Sequence, residues 1–472
     1  MREKQKIVLF NPKAVFFDMP LALLSIASSL DPAKYEVVII DARIEKDYVK
    51  RALKELEGAI CLGVTVLTGS PLDSALEVSK KAKSTFPELP VIWGGWHTSI
   101  FPKQTLLDES CIDITVQGQG EETFKELVET ISENKPLSTV KSICYRDGEK
   151  IIQNPPRALQ EMNNFERLNY NLIDVEKYFQ KKSRRQFDFI ASIGCFFRCS
   201  FCADPFVYQR KFSMYDPQRI ADDIEFFYKK YKFTDINFQD ETFFTYPEKI
   251  TEFAGELIKR NIKVTWACTM RADQGFRMKK EQWEICKQSG LRRLLIGVES
   301  GSQEMMDWLE KDIKIEKVLF CAEQCKKYGI DAIFPFIVGF PGESEKSVES
   351  TISFIKKLKS IKPSFQVQIF YFKPYPGSKI TIDEVAKGFK LPQSTKDWAG
   401  FDYIGSKGPW VTNEKYKFIE NFKFYMKLAW GQKRTYLKPL AFVARWRCNK
   451  SAFAFPLEKR VIEFFRPQQK LS

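Results

Sequence analysis

The sequence predicts an α/β protein with two successive strand–helix domains and a helical tail. A doubly wound, parallel-sheet domain is expected over residues 1–140, and a hairpin and linker over 141–186. A second strand–helix domain follows over 187–385, and a basic, aromatic, helical C-terminal extension over 386–472. Three observations carry this reading. Short apolar runs alternate with helix-patterned segments along residues 1–133, as expected when crossover helices cover both faces of a parallel sheet. The same rhythm resumes at residue 187 and gives six strand candidates by residue 372. Beyond residue 400 the strand pattern stops and Lys and Arg accumulate among aromatics.

In the first domain, strands are expected at 7–11, 35–40, 59–66, 90–93 and 114–116. Helices are expected at 21–30, opened by Pro20, and at 47–56, 74–82 and 121–131. A doubly wound, Rossmann-like sheet binds its ligands at the carboxyl ends of its strands. Those ends are Asn11 to Pro20, Thr65 to Ser70, Gly94 to Ser99 and Gly118 to Glu122. Asp147-Gly148 marks a hairpin within 141–152, since Asp-Gly suits the two positive-φ positions of a tight hairpin turn. Residues 155–186 read as a linker.

The six later strand candidates are 187–193, 235–238, 263–267, 293–298, 332–338 and 365–372. Parallel strands with helices between them make a partial (β/α)6 barrel, and such folds collect their chemistry at the strand carboxyl ends. Each candidate runs into polar or Gly-rich residues. In order these are a Cys-rich loop, Gln239-Asp240-Glu241, Met270-Arg271, Glu299-Ser300-Gly301, Gly339-Phe340-Pro341-Gly342 and Lys373-Pro374-Tyr375. Agreement across all six ends weighs more than any single motif.

Composition narrows the function. A chain of 472 residues with 44% hydrophobic content builds full cores. Its 11 cysteines do not read as a disulfide framework and no secretory signal is evident, so a reduced, cytoplasmic protein is expected. No long uncharged apolar run suggests a spanning helix. Residues 401–472 hold 15 Lys and Arg against 5 Asp and Glu, so ten of the fourteen net positive charges lie there. Aromatics such as Phe422, Tyr425, Trp430, Tyr436, Phe442, Trp446, Phe464 and Phe465 are interleaved. The segment reads either as a helical cap with an aromatic core or as a peripheral contact with an anionic membrane or amphipathic substrate. Nucleic acid is the disfavoured partner.

The Cys-rich loop is Gly194-Cys195-Phe196-Phe197-Arg198-Cys199-Ser200-Phe201-Cys202. Three thiolates on one short loop suit three irons of a 4Fe–4S cluster, whose full ligation takes four. The remaining iron is open to a small chelating ligand, as catalytic metal sites keep an open position. This C-x3-C-x2-C spacing, with Phe201 before the last Cys, resembles the signature of the radical S-adenosylmethionine (SAM) superfamily. The resemblance implies Cys195, Cys199 and Cys202 as the cluster ligands and SAM on the open iron. It also implies reductive cleavage of SAM to a 5′-deoxyadenosyl radical, with flavodoxin or ferredoxin as reductant. Asp240 and Glu241 are candidates to accept from the SAM amino group, or to cap the next helix. Glu299, with Ser300 beside it, is the candidate for the ribose hydroxyls. Phe201 and the run to Gly339 and Gly342 are candidates for the adenine. Arg271 is placed either on the SAM carboxylate or in a structural ion pair. The remaining cysteines show no second metal spacing; Cys321 and Cys325 read as core.

A Rossmann-like domain ahead of this barrel resembles the cobalamin-binding radical SAM subfamily. The runs that carry the resemblance are Gly63-Val64-Thr65, Gly94-Gly95-Trp96-His97 and Gly118-Gln119-Gly120-Glu121-Glu122-Thr123. It implies Thr65, Gly94, Gly95, His97 and Gly118 near cobalamin, with glycines leaving room for the corrin's tail. His97 also admits a structural, hydrogen-bonded reading. The chain departs from the Asp-x-His-x-x-Gly pattern of many cobalamin proteins, because the loop from Asn11 to Pro20 has no His. Cobalt without a His ligand is therefore expected. The absence of G-x-G-x-x-G after the first strand disfavours a nicotinamide dinucleotide. The function expected is C-methylation of an unactivated carbon in a large hydrophobic or amphipathic substrate. One alternative is radical SAM chemistry without cobalamin, of methylthiotransferase-like or isomerising type. The other is an iron–sulfur nucleic-acid-binding or redox-sensing protein.

Overall fold

The computed structural model describes residues 4–401, 407–431, 438–453 and 455–460. Tyr436, Phe464 and Phe465 lie outside the described residues. The chain divides into two units. The first comprises residues 1–269, 279–291 and 374–403; the second comprises 270–278, 292–373 and 404–472.

The first unit holds a seven-stranded sheet. Its strands are β1 (Gln5–Asn11), β2 (Tyr35–Asp41), β3 (Ala59–Thr65), β4 (Val91–Gly94), β5 (Ile114–Val116), β6 (Ile143–Asp147) and β7 (Lys150–Gln153). They are ordered β2-β1-β3-β4-β5-β6-β7. The first five are parallel, with Val8 opposite Val38 on one side and Leu62 on the other. Ile7, Val8, Leu9 and Phe10 are all fully buried, which explains why β1 reads as a continuous apolar run rather than an alternating one. A hairpin forms within the expected span, but Asp147 pairs with Lys150 at the end of β6 and the turn itself is Gly148-Glu149, with only Gly148 at positive φ, +60°. Its strand β6 pairs antiparallel to β5, however, so the hairpin extends this sheet and the sequence boundary at residue 140 falls inside one structural layer.

Two further expectations are corrected. The predicted strand 187–193 is two strands, β8 (Gln186–Phe189) and β9 (Ser192–Gly194). Between them the Ala191 amide donates to the Asp240 carboxylate at 3.1 Å, and the Ser192 hydroxyl donates to it at 2.5 Å. The chain then turns to pair antiparallel with β10 (Phe212–Met214). An apolar pattern does not show such a break, because Phe187, Phe189, Ile190, Ala191 and Ile193 run straight through it. The extension expected from residue 386 also begins inside the first unit: Trp398 is fully buried in the core that includes Phe10, Val64 and Trp93.

The first unit also contains β11 (Asp235–Phe238) and most of β12 (Thr265–Arg271), parallel in the order β8-β11-β12. The second unit contains β13 (Leu291–Gly297), β14 (Asp331–Val338) and β15 (Gln366–Tyr371), parallel in that order. Helices Asn413–Gly431 and Lys438–Lys450 pack on each other there. Ile419, Phe422, Tyr425 and Met426 are buried, so part of the tail packs its aromatics inward.

Candidate functional site

The Cys-rich loop leaves β9 at Gly194, whose φ is +83°. A Cβ there would lie 2.3 Å from the Lys211 carbonyl oxygen, so glycine is required where β9 and β10 close on each other. The Arg210 guanidinium donates to the Phe196 carbonyl at 3.1 Å, and the Cys202 amide donates to the Cys199 carbonyl at 3.1 Å. Cys195, Cys199 and Cys202 are all partly exposed, whereas the eight other cysteines are buried. The Asp204 amide points at the Cys202 sulfur at 3.5 Å, a contact that favours thiolate over thiol. Burial pushes the Cys202 thiol up, and Asp204, Cys199 and Cys195 add to that through their charges. Three thiolates this near one another need cationic partners. Among the described residues no three Cys, His, Asp or Glu side chains converge on a single-ion geometry. A cubane takes each thiolate on a different iron, so its ligands need not converge.

Two carboxyls follow β11. Asp240 is buried and spent on the Ala191 amide and Ser192 hydroxyl, and burial raises it to about 7. It is thus committed to holding the end of β8. Glu241 is different. Its Oε2 is buried without a hydrogen-bond partner, and the side chain also bonds Tyr208. Burial first, and the charge of Asp204 second, raise it to about 8. Both native carboxyls therefore hold protons that the unfolded chain releases near its ordinary values of 3.8 and 4.5. Their contribution to stability is complete at low pH and is lost as pH rises toward about 8. Chemical denaturation of the cofactor-free protein should show falling stability between pH 5 and pH 8, by rough linkage reasoning. Glu241→Gln should flatten the upper part of that slope; an unchanged slope would refute the assignment.

In the second unit, Glu299 sits just past β13 with φ +67°, a strained region for a side-chain-bearing residue. The strain is offset locally. Its amide donates to the Pro335 carbonyl at 3.1 Å, its carbonyl accepts from the Ile337 amide at 2.8 Å, and its carboxylate takes the Lys311 ammonium at 2.6 Å. Both members of that ion pair are buried. A Cβ at Gly297 would lie 2.8 Å from the Glu299 carboxylate and 3.0 Å from the Lys311 nitrogen, so Gly297 makes room for the pair. Lys311 was invisible to sequence reasoning, being twelve residues away with no motif of its own.

A cavity of about 380 Å³ lies within the first unit. Asn11, Thr65, Gly94, Gly95 and Gly118, from the ends of β1, β3, β4 and β5, form one side. Ile190, Ile193, Val207, Tyr208, Tyr215 and Glu241 contribute to the rest. The sheet order reverses between β1 and β3, and open α/β sheets bind ligands at such switch points. Trp96 also lines the cavity and meets the Tyr208 ring edge-on at 5.8 Å. No sequence pattern announces Tyr208 or Tyr215.

Residues 189–355 match the Radical SAM superfamily, and residues 13–128 match the B12 binding domain. The chain belongs to the cobalamin-binding radical SAM enzymes. It is 26% identical to an uncharacterized methyltransferase of Pyrococcus horikoshii over 86% of this chain and 88% of that one. It is 27% identical to the anaerobic magnesium-protoporphyrin IX monomethyl ester cyclase of Rubrivivax gelatinosus over 67% of this chain and 58% of that one. Its fold resembles a solved cobalamin-dependent S-adenosylmethionine radical enzyme, OxsB, with a TM-score of 0.75 at 18% identity, covering 99% of this chain and 74% of that one.

The cofactors of this radical SAM enzyme are a 4Fe–4S cluster, SAM and cobalamin, and the residues present fit them. The cluster loop offers three partly exposed thiols and no fourth. The cavity offers an unpartnered buried amide donor, Asn11 Nδ2, and the unpartnered Oε2 of Glu241. Such groups call for a ligand rich in amides, which the rim of a corrin supplies. A side chain at Gly118, where φ is +71°, would meet nothing within 4 Å, so that turn leaves open space.

The remaining candidates are not among the residues that line this cavity. His97 does not line the cavity. It is fully buried, with its Nδ1 bonded to the Thr68 hydroxyl at 3.2 Å, and burial lowers it to about 4. Ser300 is buried against the Thr351 hydroxyl at 3.2 Å, a core contact. Arg271 is engaged by Asp273 at 3.1 Å and the Lys311 carbonyl at 2.5 Å. Gly339 has φ +81° and faces Val411, whereas Gly342 faces open space. Phe201 is partly exposed on the cluster loop.

Proposed function

We propose that this enzyme C-methylates an unactivated carbon of a large hydrophobic or amphipathic substrate, drawing electrons from flavodoxin or ferredoxin. One observation carries the reading. Ile193 and Val207, which bracket the cluster loop, line the same cavity as the strand ends of the B12-binding domain. A corrinoid bound there lies beside the cluster loop, as coupled methyl transfer and radical generation require. The bound cofactors supply one-electron cleavage of SAM and a transferable methyl group. The chain holds and shields them. Asn11 and Glu241 orient amide groups, Gly118 leaves space, and Ile190, Ile193, Trp96 and Val116 keep water out. Burial raises the Glu241 carboxyl to about 8, which favours its uncharged form at that wall. The similarity to a cyclase acting on a magnesium-protoporphyrin ester supports a large, largely apolar substrate. Ring formation is the second reading that this relative favours.

Anaerobic reconstitution with iron and sulfide, followed by SAM, a reductant and hydroxocobalamin, tests the proposal. Retained corrinoid by absorbance, 5′-deoxyadenosine by mass spectrometry, and a methyl-bearing product from a polycyclic or isoprenoid acceptor are expected. SAM cleavage without corrinoid retention would favour radical chemistry without cobalamin. A stable cluster that leaves SAM intact would favour a binding or sensing protein.

A further inference from the structure

We propose that the Lys438–Lys450 helix docks the protein on an anionic lipid surface, with Phe442 and Trp446 entering the headgroup–acyl boundary. The helix buries its small residues, Ala441, Ala444 and Cys448, against its neighbour. Its large apolar residues point the other way: Phe442 is 74% and Trp446 52% exposed. A helix that only caps a core does the reverse, since burial of the large side chains is what stabilises packing. Lys438, Phe442, Trp446 and Lys450 follow one another at four-residue steps, so they form one ridge along the helix. All four are exposed. The ridge has aromatic residues at its centre and an ammonium at each end. The helix contains four basic residues and no acid. Aromatic rings with an apolar body and a wet edge settle at bilayer interfaces, and flanking lysines complement anionic headgroups. Phe455 and Leu457, just beyond the helix, are also exposed. Among the described residues no helix is long and apolar enough to cross a membrane, so the contact is peripheral.

The test uses the full chain sedimented with vesicles of phosphatidylcholine plus phosphatidylglycerol, and with phosphatidylcholine alone. Binding to the anionic vesicles, weakened but not abolished by salt, is expected. Phe442→Ser with Trp446→Ser should reduce the bound fraction by about tenfold or more, since apolar insertion and headgroup attraction act together. The same variant should melt at the wild-type temperature, because both side chains face solvent. No binding to anionic vesicles, or equal binding by the variant, overturns the proposal. So does a concentration-dependent dimer that the variant abolishes, which would make the ridge an interface between copies. Salt-reversible binding of single-stranded nucleic acid, lost in the variant, overturns it in favour of nucleic acid.

Discussion

Cys199→Ala is expected to abolish the 4Fe–4S absorbance after anaerobic reconstitution. It should also lower 5′-deoxyadenosine formation by roughly a thousandfold, about 4 kcal/mol of lost transition-state stabilisation. The loop has three thiols and no spare: the remaining cysteines are buried, and burial holds Cys268, Cys286, Cys321 and Cys325 in the thiol form. None of the three loop cysteines lines the cavity. Corrinoid uptake by the variant, read by absorbance, should therefore match the wild type. Loss of both cluster and corrinoid would mean that the substitution disturbs the fold around β9 rather than the ligand set. A variant that still cleaves SAM would remove Cys199 from the cluster.

Lys311→Met is expected to destabilise the protein by about 3–5 kcal/mol, the usual result of stranding one member of a buried ion pair. The side chains of Lys311 and Glu299 are only 5% and 10% exposed, and the pair sits where Glu299 already holds a strained backbone. Denaturation midpoints at neutral pH measure the loss. Adding Glu299→Gln to Lys311→Met should recover most of it, because the stranded charge is then gone, and the cycle isolates the coupling. If Glu299 also serves the SAM ribose hydroxyls, the double variant should remain weak in SAM binding by calorimetry while regaining stability. An unchanged midpoint for Lys311→Met would show that water already screens the pair.

The two predictions differ in what made them visible. The cysteines were legible because a metal ligand set is written as residue type and spacing on one loop. The strand ends were legible for a related reason: parallel strands buried on both faces produce continuous apolar runs, and Asn11, Thr65, Gly94 and Gly118 follow those runs directly. Six barrel strands were found with boundaries shifted by a few residues, except at 187–193. There the Asp240 carboxylate splits one apolar run into β8 and β9, and apolar patterning cannot register a hydrogen bond from a distant loop.

The sequence by itself therefore determined the fold class, the cluster loop, the two domain types and the basic character of the tail. Each depends on local periodicity or on residue type within one segment. Only the tertiary structure decided that Glu299 is held by Lys311, that Tyr208 meets Glu241 at the cavity wall, that His97 is buried outside the cavity lining, and that Phe442 and Trp446 face outward. Those facts depend on which residues meet across long separations in the chain, or on which side of a helix finds a neighbour. Packing settles both, and no local pattern encodes them.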